Sequence, residues 1–192
     1  PDKIKVIEQI EAPKRIKDVR RLTGCVAAMS RFISKSAERA LPFFKILKKA
    51  GPMEWTPEAE AALQDLKRYL SSTPILVAPK PQEPLLLYLA ATNQVVSAAL
   101  VAQREVDEEA RPPAGSDASG ARPVQPYKVL QKKKMMQHPV YFVSSLLQGA
   151  RSRYSGVQKL IFGLIMASRK LRHYFQAHEI TVVTRFPLQR IL

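Results

Sequence analysis

Leu85-Leu86-Leu87-Tyr88-Leu89-Ala90-Ala91-Thr92-Asn93-Gln94-Val95-Val96-Ser97-Ala98-Ala99-Leu100-Val101-Ala102 is the stretch that decides the fold. Two short apolar runs, Leu85–Ala90 and Val95–Ala102, flank the break Ala91-Thr92-Asn93-Gln94. Runs of this length read as strands, and so short a break returns the second beside the first as a hairpin. Downstream, Pro139–Ser144 and Ile180–Thr184 are two further extended runs. Between them, after Arg151–Ser155, Val157, Leu160, Ile161, Leu164, Ile165, Ser168 and Leu171 recur at helical spacing, and Phe186–Leu192 begins another helix.

Upstream of the hairpin the periodicity is helical. Ile4, Ile7 and Ile10 share a face until Pro13 stops them, and Ile16, Val19, Leu22, Val26, Met29 and Ile33 hold one face of a longer segment. A third helix is predicted over Ala37–Lys49, ending at Gly51-Pro52. Thr56-Pro57-Glu58 is a helix start, with a hydroxyl cap, a proline in the first turn and an acid near the positive end of the dipole. Ala62, Leu63, Leu66 and Leu70 are the buried stripe of that helix. The predicted fold is therefore α+β: a helical unit over residues 1–73, a Pro-rich linker over 74–84, and a mixed β-sheet with packed helices over 85–192. Within the last, Arg104–Gln137 runs from acidic through Pro-, Gly- and Ala-rich to basic at Lys132-Lys133-Lys134, a composition that buries no core and predicts a flexible insertion.

Charge narrows the function. Against 16 Asp and Glu stand 31 Lys and Arg, a net +15, which points to a polyanionic partner and most often to nucleic acid. The single cysteine, Cys25, has no internal disulfide partner and lies among apolar residues, which implies a reducing compartment. The longest apolar runs, Val95–Ala102 and Leu160–Ala167, are far too short to span a bilayer, and Pro1-Asp2-Lys3 does not begin a secretory signal. An intracellular location, cytoplasmic or nuclear and without a membrane partner, is the expectation.

Several ordered elements carry a family resemblance. Pro1-Asp2-Lys3-Ile4-Lys5, Leu22-Thr23-Gly24, Arg31-Phe32-Ile33, Leu41-Pro42-Phe43, Leu47-Lys48-Lys49, Glu54-Trp55-Thr56 and Leu66-Lys67 succeed one another in the first half. His138-Pro139-Val140-Tyr141-Phe142, Arg153-Tyr154-Ser155 and Ile180-Thr181-Val182-Val183-Thr184 follow in the second. In content and spacing the chain resembles the reverse transcriptase of gypsy-type LTR retrotransposons, from the end of the palm through the thumb into the RNase H-like domain, and is closest to plant members. The resemblance implies a thumb over 1–73 and a C-terminally truncated RNase H-like domain over 85–192. It also implies an RNA–DNA hybrid as ligand, the palm and fingers of the same polyprotein as packing partners, and a second RNase H domain downstream as a further one.

Active members of that family use Mg2+, and hard divalent cations need several converging carboxylates. The family's first-strand Asp aligns with Ala90, its helix Glu with Leu160, and the Asp after the fourth strand with Arg185. Apolar and cationic side chains do not ligate magnesium. Independently of alignment, Glu179 is the only acidic side chain from Ala118 onward, against thirteen Lys and Arg, so no carboxylate cluster can form there in any register. Asp117-Ala118-Ser119 imitates the missing motif but lies in a loop-like segment, and a ligand needs rigid support. No Asp-Asp pair of a polymerase occurs. His138, His173 and His178 lack zinc-site spacing, Ser144, Ser145 and Ser152 lack a nucleophile-elbow setting, and Trp55 reads as packing onto the helix it precedes. The expectation is no catalytic residue, no bound metal and no cofactor.

Charge on a frame is what remains. Lys14, Arg15, Lys17, Arg20 and Arg21, with Lys45, Lys48 and Lys49, are the predicted phosphate contacts of the helical unit. Arg151, Arg153, Arg169, Lys170 and Arg172 flank one helix of the second half and could track a hybrid backbone without reading sequence. The leading expectation is a non-catalytic thumb-plus-tether piece that positions the hybrid and packs on the polymerase core. Two alternatives stand beside it: an RNase H endonuclease acting on the RNA strand, disfavoured by the missing carboxylates, and a protein-interaction module or decayed genomic relic.

Overall fold

A computed structural model describes residues 11–49, 51–72, 75–107, 133–186 and 188. The expected first helix through Ile4–Ile10 and the central residues 108–132 of the insertion lie outside these, as does most of Phe186–Leu192.

Helix α1, Ile16–Ala28, begins where the Asp18 carboxylate accepts the Arg15 backbone N–H at 3.1 Å. Its inward face is Val19, Leu22 and Val26. The helix closes at Met29, short of the face expected to run to Ile33, yet Met29 and Ile33 stay buried. Two tight turns, Phe32 N–H to Met29 C=O and Ile33 N–H to Ser30 C=O, keep Ile33 on the inner side. The single helix predicted over Ala37–Lys49 is two: α2, Ser36–Arg39, and α3, Leu41–Lys48. Pro42 has no N–H to bond back to the preceding turn, so α3 restarts at Ala40 with the proline in its first turn. Helix α4, Pro57–Ser71, starts as its sequence specifies, the Thr56 hydroxyl accepting the Ala59 N–H at 3.2 Å. Val19, Leu22, Ile33, Phe43, Leu63 and Leu66 form the centre of this helical core. Trp55 belongs to it: its ring stacks on Phe43 at 5.9 Å and its Nε1–H donates to Glu60 at 2.7 Å.

A second core lies between a four-stranded sheet and the later helices. The strands are β1, Leu85–Ala91; β2, Val95–Asp107; β3, Lys133–Leu146; and β4, Ile180–Val183, in the order β3-β2-β1-β4. β1 and β2 form the expected antiparallel hairpin, β3 adds antiparallel to β2, and β4 runs parallel to β1. Leu85, Leu87 and Leu89 face the core beside Ala102, Leu100 and Ala98, the period-two alternation of a sheet buried on one side. A 3-10 turn, Gly149–Arg153, leads to α5, Gly156–Lys170, and α6, Arg172–Ala177, follows it. Leu160, Ala167 and Leu171 complete the core. At Gly163 the helix packs against the sheet: a Cβ placed there would lie 3.5 Å from Cβ of Val96.

Two expectations need correction. β3 begins at Lys133 rather than Pro139, and β2 runs on to Asp107, so Arg104–Asp107 and Lys133–Gln137 are paired strand rather than flexible insertion. This ribbon extends beyond Leu85, where pairing to β1 ends, so it needs no apolar face and its polar composition hides it. The stretch over 75–84, expected as a linker, is tied down instead. Val77 N–H bonds Pro139 C=O at 3.0 Å, and Glu83 is paired with Arg104.

The helical core is also fastened to β3. Phe142 N–H bonds Arg31 C=O at 3.1 Å, the Arg31 guanidinium lies over the Tyr141 ring at 5.1 Å, and Ser144 contacts α2. β3 has an irregularity at Leu100/Val101 of its partner, where Val140 is the extra residue between Pro139 and Tyr141.

Candidate nucleic-acid interface and metal position

β1 and β4 are parallel, so their C-terminal ends open on the same side of the sheet, where the N-terminus of α5 also arrives. The α5 start is fixed by a reciprocal cap: Ser155 Oγ accepts the Gln158 N–H at 3.3 Å, and Gln158 Oε1 accepts the Ser155 N–H at 2.9 Å. The three ends enclose a cavity of about 580 Å³ lined by Ala90 from β1, Leu160 and Lys159 from α5, and Arg185 after β4, with Asn93, Tyr154 and Thr184 around them. The three positions singled out from the sequence, Ala90, Leu160 and Arg185, thus meet in one place.

What meets there is not a cation site. Among the described residues, the lining carries two formal positive charges, Lys159 and Arg185, and no carboxylate, thiol or imidazole. A divalent ion bound by oxygen ligands does not fit this donor set. Among the described residues no group of three or more His, Cys, Asp or Glu is placed to hold a metal. His178 has its Nδ1 3.0 Å from the Glu83 carbonyl oxygen, and His138 sits in the β2–β3 ladder opposite Ala102.

Residues 80–188 match the family described as RNase H-like domain found in reverse transcriptase. That match covers more than half of the chain. The chain belongs to this family. Transposon Tf2-3 and Tf2-4 polyproteins of Schizosaccharomyces pombe are each 24% identical over 176 residues, 92% of this chain and 11% of theirs. The chain therefore spans about a tenth of the length of the curated relatives it matches. A foamy viral protease-reverse transcriptase in complex with dsDNA superposes with a TM-score of 0.64 at 15% identity, covering 99% of this chain and 34% of that one. The same kind of protein in complex with RNA/DNA hybrid gives 0.62 at 15% identity, over 98% of this chain and 22% of that one. The RNase H-like sheet and the helices before it are thus a known arrangement.

The basic residues of the RNase H-like domain and of the helical core fall into separate groups. Lys14, Arg15, Lys17, Arg20 and Arg21 are exposed on and just before α1. Lys45 pairs with Glu58 at 2.8 Å and Lys49 with Glu54 at 2.7 Å, both on the surface, while Lys48 is exposed without an ion pair among the described residues. Such exposed pairs are weak, so Lys45 and Lys49 remain open to exchange for a phosphate. Lys45 and Lys48 line a cleft where α3 meets Gln94 and the 3-10 turn. Arg151 is held over the Phe162 ring at 4.7 Å, and Arg153, Arg169 and Arg172 are exposed. Lys170 lines a different cleft, between α1–α2 and the end of β3. Residues of both halves therefore share clefts along the seam.

Lys159 was not among the predicted contacts. A lysine beside Leu160 reads as the solvated face of a helix. Its neighbours at i−3 and i+4, Gly156 and Gly163, are the signal that the side of the helix is open enough to bury it.

Proposed function

We propose that this chain is a non-catalytic region of a retrotransposon reverse transcriptase polyprotein, a thumb followed by an RNase H-like tether, that positions an RNA–DNA hybrid through its phosphates. The observation that carries the reading is the cavity where β1, β4 and α5 converge, cationic and, among the described residues, without a carboxylate. Hydrolysis by a pair of divalent ions finds no ligand set among the described residues there. Family membership supplies the setting, and the relatives named as transposon polyproteins extend it to both halves of the chain. The foamy viral enzymes of similar fold are complexes with dsDNA and with RNA/DNA hybrid, which supports a duplex as ligand. Residues 1–73 are the proposed thumb, 85–192 the proposed tether, and the order of thumb-like motifs supports a plant-type gypsy member. Palm and fingers of the same polyprotein are the proposed packing partners.

Two measurements on the chain test this reading. Affinity for a labelled RNA–DNA hybrid should fall steeply and log-linearly with salt, since neutralised phosphates release counterions. A flat salt dependence removes the nucleic-acid role. Incubation of the hybrid with Mg2+ should leave the RNA strand intact; cleavage that copurifies with the chain would establish the endonuclease instead.

A further inference from the structure

We propose that the cavity between β1, β4 and the start of α5 is a phosphate-binding site, an anion pocket at the place where Ala90, Leu160 and Arg185 meet. Lys159 carries the argument. It is only 7% exposed, it lines the cavity, and while its backbone N–H bonds the Ser155 carbonyl oxygen, its ammonium makes no hydrogen bond or ion pair with any described residue. No buried side-chain nitrogen or oxygen among the described residues is shut away without a partner, so the Lys159 ammonium keeps access to solvent, and the residue that carries it is part of the cavity wall. Burying a cation without a counter-charge is costly, and an anion entering from solvent removes that cost.

The rest of the lining suits the same ligand. Arg185 stands exposed at the mouth and offers a planar, bidentate fork of donors. Asn93 and Tyr154 add neutral donors. The Thr184 hydroxyl, which accepts the Phe186 N–H at 3.4 Å, keeps its own hydrogen to donate. Gly156, at the first position of the fifteen-residue α5, brings the positive end of the helix to the wall, and no acid lies in that first turn. Among the described residues no carboxylate lines the cavity to repel an anion. About 580 Å³ is room for a nucleotide-sized group, so the phosphate can arrive as a backbone phosphodiester with its flanking sugars or as free phosphate. In its backbone form the inference rests on the proposal that the chain holds nucleic acid.

The test is a titration of the 15N-labelled chain, at constant ionic strength, with inorganic phosphate in one arm and an RNA–DNA hybrid in the other. Saturable amide shifts at Asn93, Gly156 and Arg185 are expected. Shifts with the hybrid alone assign a backbone phosphodiester, and shifts with inorganic phosphate assign a small-phosphate site. Arg185→Gln, an exposed position that leaves the core untouched, should weaken either response about fivefold, and Lys159→Met should do at least as much. No shift at these amides with either probe overturns the site, as does an affinity unchanged in Arg185→Gln. Hybrid binding without these shifts sinks the pocket and spares the nucleic-acid role. Phosphate shifts in a chain that does not bind hybrid do the reverse.

Discussion

The Ser144 hydroxyl on β3 accepts the Ala37 backbone N–H at 2.7 Å and lies 3.0 Å from the Ser36 hydroxyl at the start of α2. Residues more than a hundred positions apart are joined there, and the contact binds the helical core to the sheet. Ser144→Ala leaves a part-buried N–H and a hydroxyl without this partner and should cost about 1–2 kcal/mol. Urea denaturation followed by tryptophan fluorescence, which reports the helical core through Trp55, and by far-UV circular dichroism should show the two curves separating. Curves that stay coincident at wild-type midpoint would mean the contact contributes nothing to coupling.

Arg104 donates to both Glu83 oxygens, at 2.7 and 2.8 Å, and to the Ala78 carbonyl oxygen. The guanidinium hydrogen bond, joined by the Lys80 N–H, pulls the Glu83 carboxyl from 4.5 down to about 2. A folded-state value below the unfolded one stabilises above roughly pH 4.5 and is lost as pH falls towards 2. Glu83→Gln should therefore lose about 1–3 kcal/mol at neutral pH and show a shallower acid limb in thermal melts between pH 5 and about 2.

Gly163 tests how closely α5 is seated. A methyl group at 3.5 Å from Val96 is ordinary contact, and alanine suits a helix better than glycine by up to about 1 kcal/mol. Gly163→Ala should be neutral or mildly stabilising. Gly163→Leu has no room beyond that methyl and should destabilise by about 1–3 kcal/mol, read from chemical denaturation midpoints.

Arg20 and Arg21 are exposed on α1, and their replacement by Gln should leave the melting temperature in place. The slope of log affinity for hybrid against log salt should become shallower by about one for each phosphate no longer neutralised. An unchanged slope would take α1 out of the interface.

How legible all this was depends on where the information sits. The β1–β2 hairpin and α4 are spelled out locally, by apolar runs around Ala91–Gln94 and by Thr56-Pro57. The break at Ala40 was also local, since Leu41-Pro42 is visible in the sequence and a proline in a first turn is the mark of a new helix. The far ends of β2 and β3 were not legible, because a two-stranded ribbon beyond the core can be as polar as a loop. The ties of Val77 and Glu83 depend on partners 62 and 21 residues away, Pro139 and Arg104, and no local pattern encodes them. At the cavity, the side chains that meet were found by motif order, whereas the burial of Lys159 depends on how α5 is seated.

The outer edge of β3 is engaged at two points, by Val77 at Pro139 and by Arg31 at Phe142. Unpaired strand edges are templates on which other chains can polymerise. A neighbouring copy approaching β3 meets backbone already bonded at Pro139 and Phe142, and on the opposite edge β4 offers only four residues. The arrangement that seats the helical core thus also leaves less of the sheet's edge open to pairing with a second copy.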